Sequence, residues 1–218
     1  MKRYFVLAGL AGLLAVNLRL QAQPAHFPFL RPGLSTLLEY GTGGRVSLVV
    51  LPGNEKDGYP VKMVLGAGTS SELDNPEWGR FYVEGNTLYF GDAGTFMVPG
   101  SSSPIRMKLY STDSKAGDRS SYFLPNDDPE ENCPEDHGLF ERTIVSMDET
   151  VSTKGGIFES CVHVRQVPQN EKRAVFDLYI DRDMGIVKMI TTVVEGDCRN
   201  GEERKFMPLV LELVQRNP

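Results

Sequence analysis

The sequence predicts an all-β protein, a strongly curved antiparallel sheet or open half-barrel with little helix in the mature chain. Three observations carry this. Short segments rich in Val, Ile, Tyr, Phe and Thr are separated along the whole chain by clusters of Gly, Pro, Asn and Asp. Several segments alternate with period two: Val61, Met63 and Leu65 fall on one face, and Lys62 and Val64 on the other. Turn chemistry sits between paired segments, as at Glu84-Gly85-Asn86 and Asp181 to Gly185, where a glycine takes the positive φ that a tight hairpin requires.

The chain begins with a processing signal. Lys2 and Arg3 form a basic end, Phe5 to Val16 is an uncharged apolar run, and Leu20-Gln21-Ala22 supplies a small-residue cleavage site. A helix over that run rises about 18 Å, against a hydrocarbon core of about 30 Å, so it reads as a signal peptide and not as a membrane span. No Cys stands near the cleavage site to carry a lipid. The expectation is a signal peptide over 1–22 and one exported β-rich domain over 23–218, in the bacterial periplasm or outside the cell.

The formal charge is −6, and cleavage near Ala22 removes three cations, Lys2, Arg3 and Arg19, making the remainder more acidic. Nucleic acids and anionic membrane surfaces need a basic face, so neither is expected as a partner.

The expected strands run in order through Leu34–Tyr40, Arg45–Leu51, Tyr59–Leu65, Arg80–Glu84, Thr87–Gly91, Thr95–Val98 and Ile105–Tyr110. Leu34–Tyr40 also fits a short turn of helix after Pro32-Gly33. A long loop then fills 111–138, polar apart from Tyr122-Phe123-Leu124. Beyond it come Phe140–Met147, Phe158–Val167, Ala174–Ile180, Ile186–Val194 and Phe206–Gln215. The last has enough Leu to suit a helix, but Pro208 favours an edge or terminal strand.

Chemistry is sparse. The loop carries six carboxylates, Asp127, Asp128, Glu130, Glu131, Glu135 and Asp136, but lacks the ligand ladder and turn glycine of a calcium loop, so a solvated acidic loop is preferred. His137 follows Cys133 by four positions, with no further Cys or His cluster to complete a zinc site. His163 shares a strand face with Cys161 and Arg165 and reads as a partly buried structural histidine. Asp181 and Asp183 bracket a turn, where Asp is expected for backbone reasons. Gly33-Leu34-Ser35 and Gly68-Thr69-Ser70-Ser71 lack the second glycine of a nucleophile elbow. Gly41-Thr42-Gly43-Gly44 precedes a strand, so no helix N-terminus waits behind it for phosphate. No catalytic residue, metal site or cofactor is expected.

Of the three cysteines, Cys133 and Cys198 lie in polar, turn-rich surroundings and are the preferred disulfide, with Cys161 buried and inert in its strand. Cys161–Cys198 and three free thiols are the alternatives. The best functional hint is aromatic: Trp78, Phe81, Tyr82, Tyr89, Phe90 and Phe96 cluster on adjacent strands, and alternation puts Tyr82 and Phe81 on opposite faces. Two faces with large apolar groups call for two cores, or for a core and a ligand surface. Trp78, Tyr82, Tyr89 and Phe96 are the candidate ligand-binding residues.

One pattern carries a resemblance. Val151-Ser152, Gly155 or Gly156, Phe158, Cys161 and Val164, then Tyr179, then Gly185-Ile186-Val187-Lys188, resemble the TapB-like or DUF3108-like group of secreted bacterial β-proteins. The opening Phe27-Pro28-Phe29-Leu30-Arg31-Pro32-Gly33 with Leu38-Glu39-Tyr40 is loosely similar. The resemblance implies a curved antiparallel sheet comparable to lipoprotein carriers of the LolA type, and no catalytic residues. The function expected is a non-enzymatic exported binding or cell-envelope accessory protein, holding an apolar small molecule or an envelope protein segment on a concave β-face. The alternatives are a structural module that pairs a sheet edge with a partner, and a hydrolase resting on His163 or the acidic loop.

Overall fold

The structure, a computed structural model, describes residues 26–41, 43–65, 79–92, 106–124, 138–168, 176–195 and 205–217. Within them the chain is all-β. The twelve strands are β1 Ser35–Tyr40, β2 Gly44–Val50, β3 Tyr59–Leu65, β4 Gly79–Glu84, β5 Thr87–Asp92, β6 Met107–Ser111, β7 Arg119–Leu124, β8 Gly138–Thr153, β9 Gly156–Pro168, β10 Phe176–Asp181, β11 Gly185–Glu195 and β12 Lys205–Asn217. They form one antiparallel sheet in the order β6-β5-β4-β3-β2-β1-β12-β11-β10-β9-β8-β7. Every strand neighbours the next in sequence except at one place. The first and last strands pair, and the seam of this nearly closed barrel falls between β6 and β7. Among the described residues no helix is long and apolar enough to cross a membrane.

Alternation sends one side chain in two to the interior. Leu38, Val46, Leu48, Val61, Phe81, Leu88, Val164, Leu178 and Leu213 are all buried in one continuous core. The segment before β1 enters that core as a plug: Phe27 stacks edge-on to Tyr110 at 5.7 Å, and Phe29 edge-on to Phe81 at 5.6 Å. Gly185 opens β11 at φ +76°, and a Cβ there would stand 3.0 Å from the Phe29 ring. Turn geometry and room for the plug both exclude a side chain at that position.

The opposite face is polar. The strand registers line up His163, Tyr179, Lys188, Glu212, Glu39 and Arg45 across β9, β10, β11, β12, β1 and β2. Lys188 pairs with Glu212 at 2.8 Å, and Glu39 pairs with both Arg45 and Lys154. Apolar within and charged without is the reverse of a membrane-spanning barrel.

Two differences from the expected elements are informative. Arg119–Leu124, inside the expected loop, pairs with Gly138–Thr143 as β7. Its polar Arg119-Ser120-Ser121 start hides it, because an edge strand needs little apolar surface. The strands β8 and β9 extend well beyond the expected segments into a long hairpin with three register shifts in β8, and such bulges bend a strand. The bent hairpin reaches the far side of the short β10–β11 pair, where Gly155 N–H donates to the Leu213 carbonyl at 2.7 Å and Lys154 meets Glu39. Leu34–Tyr40 and the last segment are both strands. Pro208 sits on β12 opposite Thr192 of β11, at a point beyond the end of β1, so its missing N–H falls on a local edge.

Candidate functional site

Two of the four aromatic candidates are described. Tyr82 and Tyr89 stand directly opposite each other on β4 and β5, as do Phe81 and Phe90 on the other face. The Phe pair faces the core, so the tyrosines lie on the outside of the barrel and not on its concave side. Tyr82 is nonetheless buried, covered by the Arg106 guanidinium 4.1 Å above its ring, with Arg106 held by Glu84 at 2.7 Å. Trp78 and Phe96 lie outside the described residues, as do the signal segment, the acidic loop with Cys133 and His137, and Cys198. Cys161 is a buried free thiol, and burial pushes it up to about 12, with Asp181 and Glu149 adding to the rise.

His163 is the centre of a polar network. Its Nδ1 lies 2.8 Å from Glu149 Oε2 and its Nε2 2.8 Å from Asp177 Oδ1, which also accepts from Arg165 Nε at 2.8 Å. The ring stacks on Tyr179 at 4.2 Å and is 4 % exposed. Burial pushes the Asp177 carboxyl up, but hydrogen bonds from His163 and Arg165 outweigh it and hold the group below its ordinary value. With a carboxylate oxygen on each nitrogen, both ring nitrogens are already occupied in this arrangement. Its evident role is to tie the hairpin, through Glu149, to β10.

The seam holds a buried cation. Arg142 of β8 is 3 % exposed. Its Nε and Nη2 donate to Gln166 Oε1 at 3.0 and 2.9 Å, and Nη1 donates to the Met107 and Lys108 carbonyls of β6 at 3.4 and 3.3 Å. The second Nη2 donor meets Met107 Sδ at 3.5 Å. The guanidinium lies over the Tyr122 ring at 5.1 Å, and that ring stacks on Phe140. All five donors are used, two of them on carbonyls of the unpaired edge of β6. Arg142 therefore bridges the seam where no strand pairing does.

A cleft opens where the plug, the end of β6, the hairpin and the β10–β11 turn meet. Its free volume is about 310 Å³, and Tyr110, Met147 and Val162 supply its apolar lining. His26, Thr112, Ser160 and Arg182 surround them. Ser160 is the one non-glycine residue at positive φ among the described residues, at 59°. That conformation costs an L-residue about 1 kcal/mol or more and recurs where a chain is shaped around a site. Burial raises the Tyr110 hydroxyl well above its ordinary range, with Arg182 pulling the other way more strongly than Asp181 adds to it. Asp181 is committed to the turn, where its Oδ1 accepts from the Asp183 and Met184 N–H groups at 2.9 Å. Among the described residues no cluster of His, Cys, Asp or Glu forms a metal site.

None of these cleft residues was singled out from the sequence as a ligand-binding candidate. They come from five separate stretches, share no spacing, and meet only because the hairpin bends and the plug enters the barrel. The sole local clue was the turn at Asp181 to Gly185.

Fold and site together describe a nearly closed, up-and-down antiparallel barrel with a plugged interior and a cleft at one end. No family model, curated protein or solved structure matches the chain.

Proposed function

We propose that this is an exported, non-enzymatic binding protein whose site is the cleft beside the plug. One observation carries the reading: a space of about 310 Å³ with an apolar wall and several converging polar side chains. Small-molecule sites are clefts of about 300–1,000 Å³ with this mixture. The interior itself is filled by Phe27, Phe29 and Leu30, so ligand room is at the barrel end and not along its axis. The basic and apolar run at the N-terminus supports export. The resemblance to TapB-like or DUF3108-like envelope proteins supports a place in the bacterial periplasm or outside the cell.

Native mass spectrometry of the mature chain, purified without detergent from a secreting host, tests the reading. A mass excess removed by organic extraction, and reduced by Met147→Trp, supports the cleft. A mass excess that Met147→Trp leaves intact places the ligand elsewhere and overturns it.

A second reading, pairing of a sheet edge with a partner protein, has its own observation. Phe123 of the edge strand β7 is 61 % exposed, and its cross-strand neighbour Leu139 is 39 % exposed. Open edges bearing apolar side chains are templates for strand addition. Capture of a partner that Phe123→Asp abolishes, with the cleft empty, would favour this reading.

A further inference from the structure

The cleft is rich in hydrogen-bond donors. Tyr110, Thr112 and Ser160 bring hydroxyls, His26 an imidazole and Arg182 a guanidinium, and among the described residues no carboxylate or side-chain amide lines the space. Each of these five groups donates, and only Arg182 carries a permanent charge. Among the described residues none of the five makes a side-chain hydrogen bond or an ion pair to another residue. For Tyr110 this matters most, since the residue is only 5 % exposed. Its ring is packed against Phe27, and the residue lines the cleft, so the cleft is where its hydroxyl can find a partner.

Two acidic residues flank Arg182 and set the balance of charge. Asp181 turns its Oδ1 to the backbone of its own turn, and Asp183 is exposed on the turn. Neither lines the cleft. The open guanidinium, the Tyr110 hydroxyl and the further donors therefore face a space into which no carboxylate of the described residues reaches. Met147 and Val162 supply the aliphatic part of the lining.

We infer that the cleft takes a small single-tailed anion, its carboxylate or phosphate head against Arg182 and Tyr110 and its alkyl part against Met147 and Val162. This deepens the proposed function and rests on the cleft being a binding site, so the test separates the two. Titration calorimetry on the mature chain would compare four eight-carbon probes: octanoate, octyl phosphate, octanol and octylammonium. An anion is expected to bind at least about tenfold more tightly than octanol, the ratio one charge-assisted contact supplies. Octylammonium should be weakest. Arg182→Gln should remove the anion's advantage and leave octanol unchanged, and Arg182→Lys should restore part of it. Arg182 is exposed on a turn, so neither variant endangers the fold.

The ratio of octanoate to octyl phosphate distinguishes a free acid from the phosphate of a single-chain lipid. Octanol or octylammonium binding as well as octanoate would overturn the anion inference and leave the cleft standing. Inorganic phosphate binding as tightly as octyl phosphate would overturn the role of the tail. Failure of all four probes at millimolar concentration would overturn the inference and the cleft reading together.

Discussion

The seam and the cleft each combine an arginine with a buried tyrosine, and they differ in one respect. At the seam every donor of Arg142 has an acceptor inside the protein, two of them carbonyls of the β6 edge. At the cleft Arg182 and the Tyr110 hydroxyl have none among the described residues. Burial alone would rank Arg142 as the functional residue, since a buried guanidinium without a carboxylate invites an anion. Counting donors reverses the ranking. A saturated cation is part of the architecture, whereas an open one beside a tyrosine hydroxyl that faces the same cleft is available to a ligand.

The largest effect should come from breaking the seam. Arg142→Met is expected to lower stability by about 3 kcal/mol or more, because the β6 carbonyls and Gln166 are left buried without donors. Urea unfolding followed by circular dichroism measures it. A loss below about 1 kcal/mol would mean that the guanidinium does not hold the seam.

The His163 network is the middle case, a buried imidazole held between two carboxylates. His163→Ala should cost about 2 kcal/mol by leaving Glu149 and Asp177 facing each other without it. Thermal unfolding is the check, and protease sensitivity of the β8–β9 hairpin should rise in parallel.

Asp177 gives that network a pH signature. Its folded value lies below the ordinary 3.8, so it contributes stability that is complete above that value and is lost as the pH falls through the folded one. Acid unfolding of the parent chain should therefore steepen below about pH 4, and Asp177→Asn should flatten that limb while leaving the slope above pH 6 unchanged. An identical acid limb in the variant would remove Asp177 from the network's energetics.

The smallest effects sharpen the contrast between the two tyrosines. The Tyr122 hydroxyl is buried without a hydrogen-bond partner, although Arg142 and Gln166 lie near enough to offset part of the rise that burial imposes on it. Tyr122→Phe should therefore change stability by less than about 1 kcal/mol, and so should Tyr110→Phe. Only the latter should weaken binding of an anionic probe.

Much of the fold was legible because strand patterning is local. The segments at Tyr59–Leu65, Arg80–Glu84 and Thr87–Gly91 are strands within a residue or so of their expected limits, and the turn at Gly85 adopts φ +61° as a hairpin requires. The strand β7 was hidden because Arg119-Ser120-Ser121 carries no apolar face, and its pairing with β8 supplies what its own sequence lacks. The candidate aromatics were read correctly as two-faced at positions 81 and 82, but no local pattern says which face is concave.

The sequence by itself determined that the described chain is antiparallel β, that Cys161 is buried in a strand, and that Asp181 belongs to a turn. These follow from side-chain alternation and turn chemistry over a few residues. Only the tertiary structure decided that the first and last strands join, that Phe27 and Phe29 plug the barrel, and that Arg182, Tyr110 and Ser160 share one cleft. Those facts depend on strand order, on bulges that bend the long hairpin, and on contacts between residues far apart in the chain. The closing of a sheet on itself is a property of the whole set of registers, and no single segment carries it.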